Sequence, residues 1–507
     1  MKSKTINKKV ILCVLDGWGI APKSRSNAIT SSKKKNYDYL LSRFPNTILN
    51  ASEIDVGLPK GQFGNSEVGH MNIGSGRAIK QDILRIYDAI DNGYLKDNQE
   101  LKDLKIKSKR IHVIGLLSPG GVHGHEDHLF ALIDLLANTS KEIFIHCILD
   151  GRDSSPKSGI NSMRKLKEKI NNKPNVKIGT ISGRYYALDR DNRWERIELA
   201  YRAIVEGKSK NFFLDPIEAI EKSYNNSLTD EFFIPVKIGN YNYIQDDDGL
   251  LITNFRADRV REILTSMFDE NFMHFKRKKI NFSKSLGLIE YSRKINKYMD
   301  SLFKPVLVKN TLGEVLSEKK IKQMRMAETE KYAHVTYFFN GGNEKQFEYE
   351  DRILIASPRV NTYDQKPEMS AFELTEKIQV QIKKNKYDFL LINYANPDMV
   401  GHTGVLSATI RAIETVDNCL GKLYKVAKNN GYILIVTSDH GNADCMIENS
   451  GMPCTTHTTS PVPFIICTND KIKLKKGCLA DIAPSILDIM NIDKPYEMKG
   501  KTLIEKK

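Results

Sequence analysis

The chain of 507 residues has few of the features that mark a membrane or secreted protein. Its longest early apolar run, Val10 to Leu15, is too short for a signal-peptide core or a membrane span. The seven cysteines are scattered, odd in number and without a CxxC pair, which argues against a disulfide framework or a structural zinc knuckle. We therefore expect a soluble protein of the reducing cytoplasm.

The chain also lacks an RNP-like aromatic motif, a zinc finger and a helix-turn-helix signal, although its formal net charge is +15. Short basic runs such as Lys33–Lys35 and Lys276–Lys279 are typical of solvated faces. We therefore expect a small anionic substrate and no nucleic-acid partner. The alternative, a basic binding protein with a lost catalytic site, predicts a nucleic-acid affinity that falls steeply with salt.

Four apolar, β-rich runs in the outer parts of the chain border acids and histidines. Such runs, separated by helical stretches such as Ser407 to Ala427, are typical of an α/β protein with buried parallel strands. Because ligands bind beyond the carboxyl ends of such strands, we expect the bordering residues to meet at one edge. They are Asp16, Asp398, His402, Asp439, His440 and His457.

These acids and histidines predict a metal centre. Burying several carboxylates at one edge without a cation is costly. Asp398 and His402 have the spacing at which both face one ion from a single helical turn. The mixed nitrogen and oxygen set suits Mn²⁺, Zn²⁺ or Co²⁺, and Mg²⁺ somewhat less well. Six side chains exceed what one transition metal takes from protein, so we infer two ions.

The middle of the chain repeats the strand pattern with arginines in place of acids. An arginine cluster at strand ends predicts recognition of phosphate or carboxylate by bidentate forks. Asp153 is either the ion-pair partner of Arg152 or a proton-transfer group. His123 lies beside His125 and His128, either in a third metal site or in a loop with one important ring. The candidate residues are His123, Arg152, Asp153, Arg184, Arg190, Arg256 and Arg259.

The change from acids to arginines and back predicts an inserted domain. We expect a metal domain formed by residues 1–80 and 305–507, and an inserted α/β domain at 81–304.

The glycine-rich stretch around Ser66 has two interpretations. Asn65-Ser66 precedes a possible helix start, where serine is a favoured N-cap. A helix start is also a good place to receive a phosphoryl group, and a hydroxyl beside a metal ion ionises more readily, which makes Ser66 a candidate nucleophile.

Ten motifs, in order along nearly the whole chain, resemble those of the 2,3-bisphosphoglycerate-independent phosphoglycerate mutases. Departures at Lys60, Phe63 and Gly124 leave the candidate chemistry unchanged. The motifs are VLDGWG (14–19), GNSEVGHMNIGSGR (64–77), GGVHGHEDHL (120–129), DGRD (150–153), GRYYALDRDNRW (183–194), NFRADR (254–259), AETEKYAHVTYFFNGG (327–342), NYANPDMVGHTG (393–404), TSDHGNAD (437–444) and HTTSPVP (457–463).

The resemblance implies an alkaline-phosphatase-like α/β/α metal domain and an inserted α/β phosphotransferase domain. It implies Ser66 as the phosphoryl acceptor and two metal ions, most often manganese. It implies that one ion is bound by Asp398, His402 and His457, and the other by Asp16, Ser66, Asp439 and His440. The residues that it implies as substrate contacts are His123, Arg152, Asp153, Arg184, Arg190, Arg256, Arg259 and Lys331.

The reaction so implied interconverts 3-phosphoglycerate and 2-phosphoglycerate through a phosphoserine, with Asp153 and Lys331 as further catalytic groups, in a monomer. The alternative is another phosphomutase or a phosphatase of the alkaline phosphatase superfamily. Such an enzyme shares the metal ligands but need not carry the arginine motifs of the inserted domain.

Overall fold

The computed structural model describes residues 8–306, 308–448 and 451–505. Its strands, in chain order, are β1 Lys9–Leu15, β2 Asn46–Asn50, β3 Ile111–Leu116, β4 Ile143–Leu149, β5 Val176–Gly183, β6 Phe212–Phe213, β7 Val236–Ile238, β8 Gly249–Ile252, β9 Lys284–Gly287, β10 Asp300–Ser301, β11 Gln323–Glu328, β12 Glu350–Ile355, β13 Phe389–Tyr394, β14 Tyr432–Thr437, β15 Val462–Cys467, β16 Lys473–Leu474, β17 Gly477–Cys478 and β18 Ile504–Glu505.

The α-helices are α1 Ala28–Ser31, α2 Lys35–Arg43, α3 Ser66–Ser75, α4 Asp82–Asp91, α5 Tyr94–Asp97, α6 Gln99–Lys107, α7 Glu126–Ala137, α8 Gly159–Ile170, α9 Arg184–Ala187, α10 Trp194–Glu206, α11 Pro216–Asn225, α12 Ala257–Phe268, α13 Leu312–Glu318, α14 Thr329–Ala333, α15 Ala371–Lys384, α16 Asn396–Gly401, α17 Leu406–Asn429 and α18 Ile482–Ile489. In the described part of the chain, none of the helices is both long enough and apolar enough to cross a membrane.

The described residues divide into two compact units. Unit 1 lies within Met1–Gln81 and Leu307–Lys507, and unit 2 is Asp82–Val306. Unit 1 is therefore built from both ends of the chain, and unit 2 is inserted between them.

The sheet of unit 1 has the strand order β12-β11-β13-β1-β14-β15-β2-β17. The first five strands are mutually parallel, and β15 is antiparallel to both β14 and β2. Successive side chains of β1 point to opposite faces, so Ile11 and Leu15 join the core that packs against α15 and α17, while Val10 joins the core against α18. Both faces of the sheet are therefore covered, which explains the continuous apolar runs.

The sheet of unit 2 has the order β10-β9-β8-β3-β4-β5-β7-β6. Its first six strands are parallel, and β7 runs antiparallel to β5. Apolar residues of α7 and α8 cover one face, and those of α10 and α12 cover the other. Both units are thus three-layer α/β/α structures, which confirms the α/β class expected for both and the α/β/α layering that the resemblance implied for the metal domain.

Candidate active site

The edge of unit 1 at the carboxyl ends of its parallel strands carries the predicted acids and histidines. Asp16 follows β1, Asp398 lies in α16 just after β13, and Asp439 and His440 follow β14. Because β13, β1 and β14 are adjacent and parallel, these residues emerge side by side. His457 precedes β15, and since β15 is antiparallel to β14, its amino end lies at the same edge.

The turn after Asp16 requires glycine. Gly17 has φ = +76°, and a Cβ there would lie 2.8 Å from the Cα of Asp398. The missing side chain lets the loop after β1 pass directly against α16, which brings the two aspartates together.

Asp398, His402 and His457 form one compact set of potential ligands. His402 Nε2 and His457 Nε2 are 3.3 and 3.2 Å from Asp398 Oδ1, and 3.0 Å from each other. Nδ1 of His402 lies 2.8 Å from the carbonyl oxygen of Thr455, and Nδ1 of His457 lies 2.8 Å from that of Gly64. A carbonyl oxygen only accepts, so each Nδ1 carries the proton and each Nε2 offers a lone pair to the site.

Asp16, Asp439 and His440 form a second set. His440 Nε2 lies 3.5 Å from Asp16 Oδ1 and 3.6 Å from Asp439 Oδ2. It also lies 3.8 Å from Asp398 Oδ1, so in the described residues His440 belongs to two groups with ligand geometry, one with Asp398 and His457 and one with Asp16 and Asp439.

Lys331 lies between the two sets. Its Nζ is 2.7 Å from Asp16 Oδ1 and 2.6 Å from Asp398 Oδ2. Burial opposes the ionisation of both carboxyls, but the charge of Lys331 and the neighbouring histidines together outweigh it and lower their pKa values. Burial also lowers the pKa of His440, yet Asp439 and the other carboxylates raise it to about 9. The site therefore has a surplus of negative charge.

The donor set fits divalent cations. Two ligands of one ion, each about 2.1 Å from it and roughly at right angles, lie about 3.0 Å apart, which matches the spacing of His402 and His457. Among the described residues, the buried Oδ2 of Asp439 accepts no hydrogen bond, and a buried carboxylate oxygen without one is costly unless a cation lies nearby. The three carboxylates and three imidazoles are also the ligand types that divalent transition metals bind.

Ser66 is the first residue of α3, and it is not the N-cap. Asn65 fills that position, and its side chain accepts a hydrogen bond from the backbone N–H of Val68. The interpretation of Ser66 as a cap is therefore wrong, because the side chain of Asn65 already accepts the hydrogen bond of the free backbone N–H in the first turn.

The Ser66 hydroxyl instead faces the charged groups of the site. Its Oγ is 2.6 Å from Lys331 Nζ, 2.9 Å from His440 Nε2 and 3.2 Å from Asp16 Oδ1. The dipole and the free N–H groups at the start of α3 favour a phosphoryl group at this position.

The arginines of unit 2 follow the carboxyl ends of parallel strands of one sheet. The loop after β4 carries Arg152 and Asp153, Arg184 follows β5, and Arg256 is the N-cap of α12 after β8. Arg184 Nη1 donates to both Asp150 Oδ1 and Asp153 Oδ2 at 2.5 Å.

Arg259 shows that this cluster has surplus positive charge. Burial and the charges of Arg184, Arg190 and Arg152 lower its pKa. Its Nη1 donates to the carbonyl of Leu188, while its buried Nε has no hydrogen-bond partner among the described residues. An anion bound here would relieve the repulsion and accept the unused donors.

His123 joins the arginine cluster and not a third metal site. Its Nδ1 is 3.4 Å from Asp258 Oδ1, and its Nε2 is 3.8 Å from Asp153 Oδ2. Among the described residues, His125 and His128 belong to neither group with metal-ligand geometry. His128 is instead buried, with its ring 4.4 Å from that of Tyr87.

The structure adds residues that the sequence analysis missed. In unit 1, Asn442 donates to Asp398 Oδ1 at 2.9 Å, and Asn393 donates to Asp16 Oδ2 at 2.7 Å. In unit 2, Asp258 Oδ2 accepts from Arg190 at 2.9 Å. All three residues lie inside the ten motifs, so their closeness in sequence to the candidate ligands and arginines is the only feature of the sequence that points to them.

A family model described as "Metalloenzyme superfamily" matches residues 8–494. The fold and the site thus define a metal-dependent enzyme that binds divalent cations. A relative from Ehrlichia ruminantium (strain Welgevonden), named 2,3-bisphosphoglycerate-independent phosphoglycerate mutase, is 47% identical over 506 residues, covering 98% of this chain and 99% of the relative. A relative of the same name from Clostridium beijerinckii is 47% identical, covering 99% of each chain.

A solved structure is similar over the same length. The crystal structure of Leishmania mexicana phosphoglycerate mutase at low cobalt concentration is 29% identical, with a TM-score of 0.75, covering 100% of this chain and 99% of that one. The chain belongs to the family of 2,3-bisphosphoglycerate-independent phosphoglycerate mutases, and it is an isomerase.

Proposed function

We propose that this enzyme interconverts 3-phosphoglycerate and 2-phosphoglycerate by passing the phosphoryl group through Ser66. The observation that carries the proposal is the setting of the Ser66 hydroxyl, at the first residue of α3 and within 2.6 to 3.2 Å of Lys331, His440 and Asp16. A serine so placed combines a phosphate-binding helix start with neighbours that stabilise its ionised form.

We propose that two Mn²⁺ ions occupy the two ligand sets, and that Mg²⁺, Co²⁺ or Zn²⁺ can take their place. Asp398, His402 and His457 would hold one, and the other would fall to Ser66 with Asp16, Asp439 and His440. When bound, the ions supply positive charge that favours the ionised serine and neutralises phosphoryl oxygens. Lys331 adds a fixed positive charge 2.6 Å from the serine oxygen.

In the proposed reaction the ionised Ser66 Oγ attacks phosphorus, and the bond from phosphorus to the 3-oxygen of the substrate breaks. Asp153 protonates the leaving 3-oxygen and later accepts the proton of the 2-hydroxyl. The 2-oxygen then attacks the phosphoserine and releases Ser66. Throughout, the cluster formed by His123, Arg152, Arg184, Arg190, Arg256 and Arg259 would hold the glycerate carboxylate and hydroxyls, because an escaped glycerate leaves the phosphoryl group to water.

We further propose that the enzyme acts as a cytoplasmic monomer without a nucleic-acid partner. All seven cysteines are free thiols, which suits a reducing compartment. The cationic cluster of unit 2 accounts for a small anionic substrate without invoking a polyanion.

A mutase assay without 2,3-bisphosphoglycerate tests the proposed function. We expect 2-phosphoglycerate to form from 3-phosphoglycerate with Mn²⁺, to stop after chelation, and to resume when Mn²⁺ is restored. An absolute need for 2,3-bisphosphoglycerate, or activity unchanged by the chelator, would contradict the proposal. Release of inorganic phosphate in place of 2-phosphoglycerate would favour the phosphatase alternative.

Arg256 tests the role of the arginine cluster. Its side chain is half-exposed and its Nε lies 3.5 Å from Asp258 Oδ1, so its loss leaves the fold intact. We expect Arg256→Ala to raise the KM for 3-phosphoglycerate about tenfold or more, and to leave Mn²⁺ affinity unchanged. Steady-state kinetics and calorimetric Mn²⁺ titration measure the two effects.

Arg164→Ala is the matched control, because Arg164 is also a half-exposed arginine of unit 2 with a loose ion pair, 3.7 Å from Glu221. If the KM for 3-phosphoglycerate rose equally in both variants, Arg256 would not be a residue of the substrate site.

A further inference from the structure

Two buried polar side chains beside the second ligand set have no role in the reaction proposed above. His70 lies one helical turn after Ser66 in α3, and Asn393 lies in β13 next to β1. Both are fully buried. A buried amide and a buried imidazole are costly unless their hydrogen bonds are specific, so their partners define what they do.

The contacts assign a direction to each hydrogen bond. Asn393 Nδ2 lies 2.7 Å from Asp16 Oδ2, and the carboxylate only accepts, so the amide turns its NH₂ group toward Asp16. The same nitrogen lies 3.0 Å from His70 Nε2, which must therefore accept. The other ring nitrogen, Nδ1, then donates to the carbonyl oxygen of Ser66, which lies 2.9 Å from it.

These hydrogen bonds join the nucleophile to Asp16, and a further close contact of His70 reaches Asp439, the other aspartate of the second set. Since Asn393 holds Asp16 Oδ2, the other oxygen, Oδ1, faces the Ser66 hydroxyl at 3.2 Å. His70 anchors the Ser66 backbone, and its Nδ1 is also 3.2 Å from Asp439 Oδ2. The orientations of Asp16, Ser66 and Asp439 therefore depend on the same two buried side chains.

We infer that His70 and Asn393 are positioning residues, which determine the carboxylate oxygens that face Ser66 and a bound ion. The inference rests on the proposed function of the second ligand set. A merely structural pair would contribute to stability and leave ion binding and turnover unchanged. Outer partners of metal ligands, in contrast, change metal affinity or activity by about 10- to 100-fold when they are removed.

Asn393→Leu tests the inference, because leucine has a similar shape and cannot donate. We expect the Mn²⁺ dissociation constant, from calorimetric titration of the chelator-treated protein, to rise about tenfold or more. We expect kcat to fall by about 10²-fold with the KM for 3-phosphoglycerate within about twofold, because the arginines are untouched.

Asn340→Leu is the matched control. Asn340 is also a fully buried asparagine of unit 1, and its Nδ2 donates to the buried carboxylate of Glu350 at 3.1 Å, away from both ligand sets. We expect this variant to lose stability but to keep the Mn²⁺ affinity and kcat of the parent. Equal Mn²⁺ affinity and kcat in Asn393→Leu and Asn340→Leu would overturn the inference.

Two substitutions of His70 keep the inference testable where Asn393→Leu does not fold. An asparagine amide nitrogen can take the place of Nδ1, so His70→Asn should retain most of the Mn²⁺ affinity that His70→Leu loses. Equal affinity in both variants and the parent would overturn the inference. The titrations use no substrate, so this failure is distinct from failure of the proposed function, which shows in the mutase assay of the parent enzyme.

Discussion

Ser66→Ala is expected to abolish the mutase reaction, lowering kcat by roughly 10⁴-fold or more, because alanine has no hydroxyl to attack phosphorus. The fold should not change, since Asn65 caps α3 and alanine is a good helix residue. We also expect phosphoserine at this position in the parent enzyme after incubation with substrate, and none in the variant. Coupled kinetics and phosphopeptide mass spectrometry measure the two results.

Ser75→Ala is the control for this prediction. Ser75 ends the same helix and is buried. Its hydroxyl donates to the carbonyl oxygen of Arg77 at 3.1 Å, whereas the Ser66 hydroxyl contacts Lys331, His440 and Asp16. This variant should keep its activity. Turnover retained by Ser66→Ala would remove Ser66 as the phosphoryl acceptor.

Lys331→Met is expected to move metal affinity and turnover in opposite directions. The ammonium group is buried between Asp16 and Asp398, where it competes with a metal ion for the same carboxylates. Its loss should therefore tighten Mn²⁺ binding by about threefold or more. It should also lower kcat by about 10²- to 10³-fold, because a fixed positive charge beside the Ser66 oxygen disappears.

The metal-free variant should also be less stable, by roughly 3 kcal/mol or more, since carboxylates are left buried without their cation. Mn²⁺ should restore much of that stability, as thermal unfolding with and without the ion would show. Lys386→Met is the control, because it removes a half-exposed lysine paired with Asp351 in the same unit. It should leave Mn²⁺ affinity, kcat and the stability of the metal-free protein unchanged. Weaker Mn²⁺ binding in Lys331→Met would show that the lysine supports the ligands and does not compete for them.

Much of the architecture was predictable because the signals are local. The apolar run of β1 and the helical pattern from Ser407 to Ala427, which lies within α17, follow from periodicity over a few residues. The meeting of Asp16 and Asp439 at one edge follows from a general property of parallel strands, whose carboxyl ends share a side of the sheet.

The site was less predictable where two neighbouring residues compete for one role. Asn65 and Ser66 are both favoured caps, and only the backbone conformation decides that Asn65 fills the position. The sequence does not distinguish Asp258, because an acid among arginines has the same pattern as a surface ion pair, yet Asp258 contacts Arg190 and lies near His123.

The sequence by itself determined the chemical types, since the acids, histidines and arginines that end the strands already specify a metal centre and an anion site. The tertiary structure alone decided which of these groups contact one another and which of them surround Ser66. It places His440 close to the ligands of both sets, Lys331 between the two sets, and His70 and Asn393 behind the nucleophile. These contacts join residues far apart in the chain, and they depend on the order of the strands in the sheet, which local patterns of hydrophobicity do not encode.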